Sequence, residues 1–215
     1  MIFSYTKNEI RDLIIAFIVI TIAFAVSNVG LSIYGFISIL PIVMVGVGVG
    51  FMYRELGHKY VAMKYGYMAE FKMYPIGLLI ALATAFIGWV FAAAGAVKIH
   101  ADNISEEITG KISVAGPMAN MSLAIIFLLI AALVYPYTAY SRLFELTYLI
   151  STVGFSVNSF LAAFNLFPVY TLDGLNVIKW NKGVWFITFV LAITMMLLSI
   201  FIGAENMVRL IVDLV

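Results

Sequence analysis

Cysteine is absent from the 215 residues. That excludes disulfides and thiolate metal sites and leaves the redox compartment open. Charge is scarce as well. Only 11% of the residues are Asp, Glu, Lys or Arg, against about 25% in an ordinary soluble domain. The net charge of +1 carries no basic excess, so no nucleic-acid footprint is indicated. Histidine occurs twice, at His58 and His100. There is no internal repeat and no low-complexity tail. The first apolar stretch has no small-residue cleavage site after it and reads as a retained helix.

What is present is apolar. The hydrophobic fraction is 64% and the mean hydropathy is +1.10, the composition of an integral membrane protein. Apolar segments run over 12–28, 36–60, 76–97, 112–135, 145–170 and 184–204. At about 20 residues per span they allow five or six transmembrane helices. The expectation is an all-α integral membrane protein, one polytopic domain over 1–215, set in the cell membrane. Asn28-Val29-Gly30 separates the first two segments, and Pro41 falls near the first turn of the second. The alternating glycines of Gly46-Val47-Gly48-Val49-Gly50 allow a close backbone approach or an irregular helix. Asp102–Lys111 reads as the longest loop. Tyr135, Tyr137, Trp180 and Trp185 read as interface anchors.

Residues 54 to 58 read Arg-Glu-Leu-Gly-His, one substitution from H-E-x-x-H, the helical zinc-protease signature. Positions 54 and 58 lie one helical turn apart and share a face. Two histidines there would converge on one zinc. Glu55 would take a proton from the metal-bound water, whose pKa zinc lowers to about 7. Three protein ligands and an open position are the usual catalytic set. His100, beside Lys98, reads as a surface histidine, so the remaining ligand is sought among carboxylates. Asp173 stands out, because an ionisable residue at membrane depth is costly. It could equally cap a turn.

Charge decides between two topologies, because cytoplasmic loops are rich in Lys and Arg. If every segment crosses, the inner loops hold seven basic residues and the outer loops four. If 76–97 dips and returns to the same side, the split becomes nine against two. The second arrangement puts positions near 58 and near 173 at one face. Pro75, Gly77, Gly88, Gly95 and the small run Ala92-Ala93-Ala94 suit such a re-entrant or β-hairpin element after the second helix.

Three blocks occur in order: the pentapeptide, Gly116-Pro117-Met118-Ala119-Asn120, and Asn165…Pro168…Leu172-Asp173-Gly174. Taken singly they are modest; the second reads as a helix start with Pro in its first turn. Together they resemble the site-2 protease family of intramembrane zinc metalloproteases, over a core of 36–175. The resemblance implies a three-helix catalytic core around Zn2+ below the cytoplasmic surface. It implies metal ligands at positions 54, 58 and 173, with Glu55 as general base. Asn165, with Asn120 beside it as a further candidate, would polarise the scissile carbonyl or hold substrate backbone. For Asn120 an interhelical hydrogen bond is the reading slightly preferred. The region after the pentapeptide would present an extended substrate strand. The partners implied are transmembrane segments of other proteins and the lipid bilayer, with the N-terminus and the site opening cytoplasmic.

Arg54 departs from that pattern. A guanidinium stays protonated and has no lone pair for a metal, which leaves His58 and Asp173. Weak zinc binding and little activity are expected. Arg54 could pair with Glu55 or Asp173 in place of the metal. Three accounts are open: an engineered inactivating substitution, a natural pseudoprotease that binds membrane helices, or a metal held through Glu55 or a rearranged His100. The survival of Glu55, His58, Asn165 and Asp173 favours the first. A small ion-coupled transporter is a further class, which an internal repeat would favour.

Overall fold

The structure is a computed structural model that describes residues 5–90, 94–101, 103–169 and 172–213. Expectations resting on Ala92, Ala93, Asp102, Tyr170 and Thr171 lie outside the described residues. The chain is predominantly helical, and its contacts cluster into two compact units, Met1–Ile104 and Ser105–Val215. Among the described residues, five helices are long and apolar enough to cross a membrane.

The first unit opens with α1 (Lys7–Val29), started by the Thr6 side chain accepting from the Glu9 amide and ended at Gly30 with φ 61°. The second apolar segment folds as α2 (Ile33–Val43), a π-helical stretch over Met44–Gly48, and α3 (Val49–Lys64). Its start is earlier than expected, because Ser32 caps the Gly35 amide. Pro41 therefore lies inside the helix rather than in its first turn. The ring removes one backbone donor, and the π stretch begins three residues later. The glycine run serves both expected purposes. The helix is irregular there, and a Cβ on Gly48 would lie 2.4 Å from the Phe17 ring of α1.

Segment 76–97 is not one long helix. It divides into α4 (Pro75–Ala85) and a strand, β2 (Gly95–His100). α4 has 11 residues, about 16 Å at about 1.5 Å per residue, against a hydrocarbon core about 30 Å thick. β2 pairs antiparallel with β1 (Met68–Met73), from Met68 opposite His100 to Met73 opposite Gly95. The chain thus leaves β1, turns through α4 and comes back beside its starting point. α4 packs on α1 through Ala81, Ala85 and Ala23. The sheet meets α3 through an edge-on Phe51–Phe71 pair with ring centroids 5.7 Å apart.

The second unit starts with α5 (Glu106–Val134). The expected loop over Asp102–Lys111 is thus largely the first turns of a helix. Ser105 caps the Ile108 amide, Glu106 and Glu107 suit the positive end of the helix dipole, and Lys111 pairs with Glu107 one turn away. Pro117 consequently sits deep inside α5, not at its start. After a short 3-10 turn at Tyr135–Tyr137, α6 (Arg142–Asn165) runs back along α5. The two approach closely at Gly154, where a Cβ would lie 2.5 Å from the Phe127 ring. α7 (Asp173–Trp180), α8 (Lys182–Phe201) and α9 (Ala204–Asp213) complete the unit. α8 joins α6 by a Ser199–Ser156 hydrogen bond of 2.8 Å. Val208 of α9 packs beside Ala131 and Tyr148. Trp180 and Trp185 are partly buried packing residues rather than only anchors: Trp180 lies against Gly110, and Trp185 stacks on Phe189.

Gly154→Ala should therefore overpack the α5–α6 contact. The expected loss is about 1–3 kcal/mol, read as a lower melting temperature of the detergent-solubilised protein.

Candidate functional site

α3 carries the pentapeptide on a buried stripe. Phe51, Glu55, His58, Lys59 and Ala62 recur at helical spacing and all are buried. This stripe is the face that meets β1 and α1. Phe51 packs against Phe71, and Lys59 reaches Glu9 of α1 at 2.5 Å. Glu55 is 2% exposed and cannot remain charged there without a partner. The Arg54 guanidinium supplies one, its Nη1 lying 2.5 Å from Glu55 Oε1. One of the two pairings expected for Arg54 is thus present.

The Glu9–Lys59 pair was not singled out from the sequence, although it abuts His58. Glu9 is 1% and Lys59 2% exposed. The second oxygen of Glu9 accepts the Phe71 amide at 3.1 Å. The Lys59 ammonium also lies 4.0 Å from the centre of the Tyr5 ring. Burial, with the Glu9 charge second, raises the Tyr5 phenol above its ordinary pKa. A sequence signal was available, since Glu9 and Asp12 sit one turn apart at the head of an apolar helix.

The other expected residues belong to the second unit. Asn165 is the last residue of α6, buried, with its Nδ2 donating to the Leu161 carbonyl at 2.8 Å. Asp173 is half-buried and opens α7. Its neighbour Gly174 explains the Asp-Gly step. A Cβ there would lie 2.0 Å from the Leu166 carbonyl oxygen, so only glycine lets α7 start against the end of α6. α7 is further held by Asn176, which donates to Ser113 of α5 at 3.1 Å, while the indole of Trp185 in α8 donates to Leu166 O at the end of α6 at 2.8 Å. Asn120 is fully buried in α5, and neither side-chain polar atom has a hydrogen-bond partner among the described residues.

His100 ends β2, a strand rather than a loop, and is 56% exposed with its Nε2 3.9 Å from Glu70. Nothing in that placement offers it to a metal beside Glu55. Among the described residues, no three His, Cys, Asp or Glu side chains form a group able to hold a metal ion. The donor chemistry agrees. Arg54 has no lone pair to offer, and its guanidinium is turned to Glu55. The residues present do not fit a three-ligand zinc centre.

Gly174→Ala should drive a methyl group into backbone that cannot turn aside. We expect a stability loss of about 1–3 kcal/mol or more, seen as a lower melting temperature. Ser113→Ala, which removes one hydrogen bond, should cost only about 0.5–1.5 kcal/mol.

No family model matches the chain, and no solved structure matches it. A protein of Methanocaldococcus jannaschii named "Putative zinc metalloprotease MJ0611" is 39% identical over 185 residues, covering 86% of this chain and 90% of that protein. The identity runs through most of both chains, and at that level and coverage it shows the family: the chain belongs to a zinc metalloprotease family.

Proposed function

We propose that the chain is an intramembrane metalloprotease of the site-2 type whose cutting site is disabled at position 54. It engages transmembrane segments of other proteins and cleaves them poorly or not at all. The observation that carries this reading is the buried Arg54–Glu55 ion pair. It occupies the carboxylate expected to act as general base and fills a ligand position with a cation. Asp173 and His58 are then too few for a catalytic zinc. The exposure of His100 and its approach to Glu70 speak against a rearranged ligand set.

The remaining features support an intramembrane site. Five apolar helices of spanning length fit a multi-pass protein of the cell membrane. The pairing of β1 with β2 fits a segment 76–97 that re-enters on the side it left, with the N-terminus and the site opening cytoplasmic. The amide of Asn120, buried without an internal partner, suits a donor and acceptor for substrate backbone, since leaving it unmatched costs about 1–3 kcal/mol. The sheet offers an edge to a substrate segment that has unwound, because a helix hides its peptide bonds.

Purified parent chain and Arg54→His protein should differ in two measurements. The parent is expected to hold substoichiometric zinc by elemental analysis and to leave a reconstituted transmembrane substrate intact. Arg54→His should hold stoichiometric zinc and cut the substrate until a chelator is added. Its zinc affinity should be at least about 100-fold higher, since even an outer partner of a ligand is worth about 10–100-fold. If Arg54→His neither gains metal nor cuts, the protease reading fails. Stoichiometric zinc in the parent would end this account of Arg54.

A further inference from the structure

The two strands of the first unit form the smallest possible sheet, so each has one edge without a strand neighbour. The edges are not equivalent. Successive residues of an antiparallel pair turn their backbone groups alternately toward and away from the partner. Tyr74 N–H donates to Ala94 O at 2.9 Å, which continues the ladder on the even-numbered residues of β1. Ala69, Phe71 and Met73 therefore point their amides away from β2, and opposite them Ile99, Val97 and Gly95 point theirs away from β1.

On β1 two of the three outward amides are taken by α1. Phe71 N–H donates to Glu9 Oε1 at 3.1 Å and Met73 N–H to Asp12 Oδ2 at 3.3 Å. Thr6 Oγ1 donates to the Glu70 carboxylate just before them. The spacing matches: Glu9 and Asp12 share a helix face one turn apart, and outward amides recur every second residue. The acceptors are carboxylates, and one is fixed by a buried ammonium. On β2, by contrast, side chains alternate between half-buried and exposed, and none is fully buried.

We propose that Glu9 and Asp12 are edge-blocking residues: by occupying the outward Phe71 and Met73 amides of β1 they confine strand addition on this sheet to β2. An unpaired edge is a template for any extended chain. A sheet open on both sides would accept a segment on either edge, and only one choice fixes its distance from the pentapeptide helix. The occupant of β2 is an extended stretch of the substrate, so this inference rests on the reading given above. It adds which edge is used and which residues decide it.

The absence of cysteine makes single-cysteine variants direct. Lys72 of β1 and Lys98 of β2 are exposed and both lie at inward-bonded positions. An added strand would place its opposing Cα about 4.5 Å away, within disulfide range. The probe is a synthetic decapeptide of alternating valine and threonine with one cysteine. Under mild oxidation, Lys98→Cys should capture it at least about tenfold better than Lys72→Cys. The preference should disappear in Glu9→Met/Lys59→Met/Asp12→Leu protein, which removes acid and base together and leaves no lone buried charge. In Glu9→Met/Lys59→Met protein, amide exchange at Phe71 should speed up by about tenfold or more, while Lys72 stays protected by the ladder. Equal capture at both edges of the parent overturns the proposal, as does capture at neither or an unchanged Phe71 exchange rate. These readouts need no zinc and no cleavage, so they fail independently of the Arg54→His experiment.

Discussion

A carboxylate and an ammonium buried together hold the first unit in register. Glu9 of α1 and Lys59 of α3 are both almost inaccessible, and their contact is 2.5 Å. Removing either from water is costly, and only the other charge and further hydrogen bonds repay it. Glu9 obtains its further bond from the Phe71 amide, so one carboxylate ties α1, α3 and β1 at a point. Such a pair is a poor source of net stability but a demanding one for geometry, since any slip leaves a bare charge inside. The residue before Lys59 is His58. Whatever fixes Lys59 also fixes the end of the pentapeptide, and the Phe51–Phe71 contact fixes its beginning.

The second unit is positioned by a different means. Its key approaches are made by missing side chains: Gly154 against Phe127, Gly110 against Trp180, and Gly174 against the Leu166 carbonyl. Between apolar helices in lipid there is little hydrophobic drive to associate, and close backbone approach with van der Waals contact takes its place. The result sets Asp173 at the head of α7, directly against the end of the helix that carries Asn165. The Asp-Gly pair is thus one structural device in which the glycine permits the turn that presents the acid.

Much of this was readable from residue order. Long apolar runs in a chain with few charges mark spanning helices, because burial in lipid demands both length and composition. The pentapeptide and the Asp-Gly block declare themselves through rare residue types in apolar surroundings. The errors share a cause. Helix ends are decided by single caps, so Ser105 and Ser32 extend α5 and α2 beyond the apolar runs and carry Pro117 and Pro41 into helix interiors. The turn back in 76–97 was readable from its glycines and the charge split as a re-entrant or β-hairpin element, but not the bounds of β2, which runs past the apolar segment to His100. Glu9 and Asp12 looked like ordinary charges at a helix start. Their meaning depends on β1, some sixty positions away, and no local pattern contains that contact.

Arg54 is best understood through the same electrostatic constraint. A carboxylate as inaccessible as Glu55 must be neutralised, hydrogen-bonded or matched by a positive charge. In a metalloprotease the metal is the largest local charge. Here the guanidinium beside Glu55 provides a positive charge that arrives with the chain itself. Arg54 thus supplies compensation for its neighbour from within the same helix. This is consistent with a helix that keeps Glu55 and His58 buried. A neutral residue at 54 would take that positive charge away from Glu55. The charge of Arg54 thus helps α3 keep an inaccessible carboxylate in place.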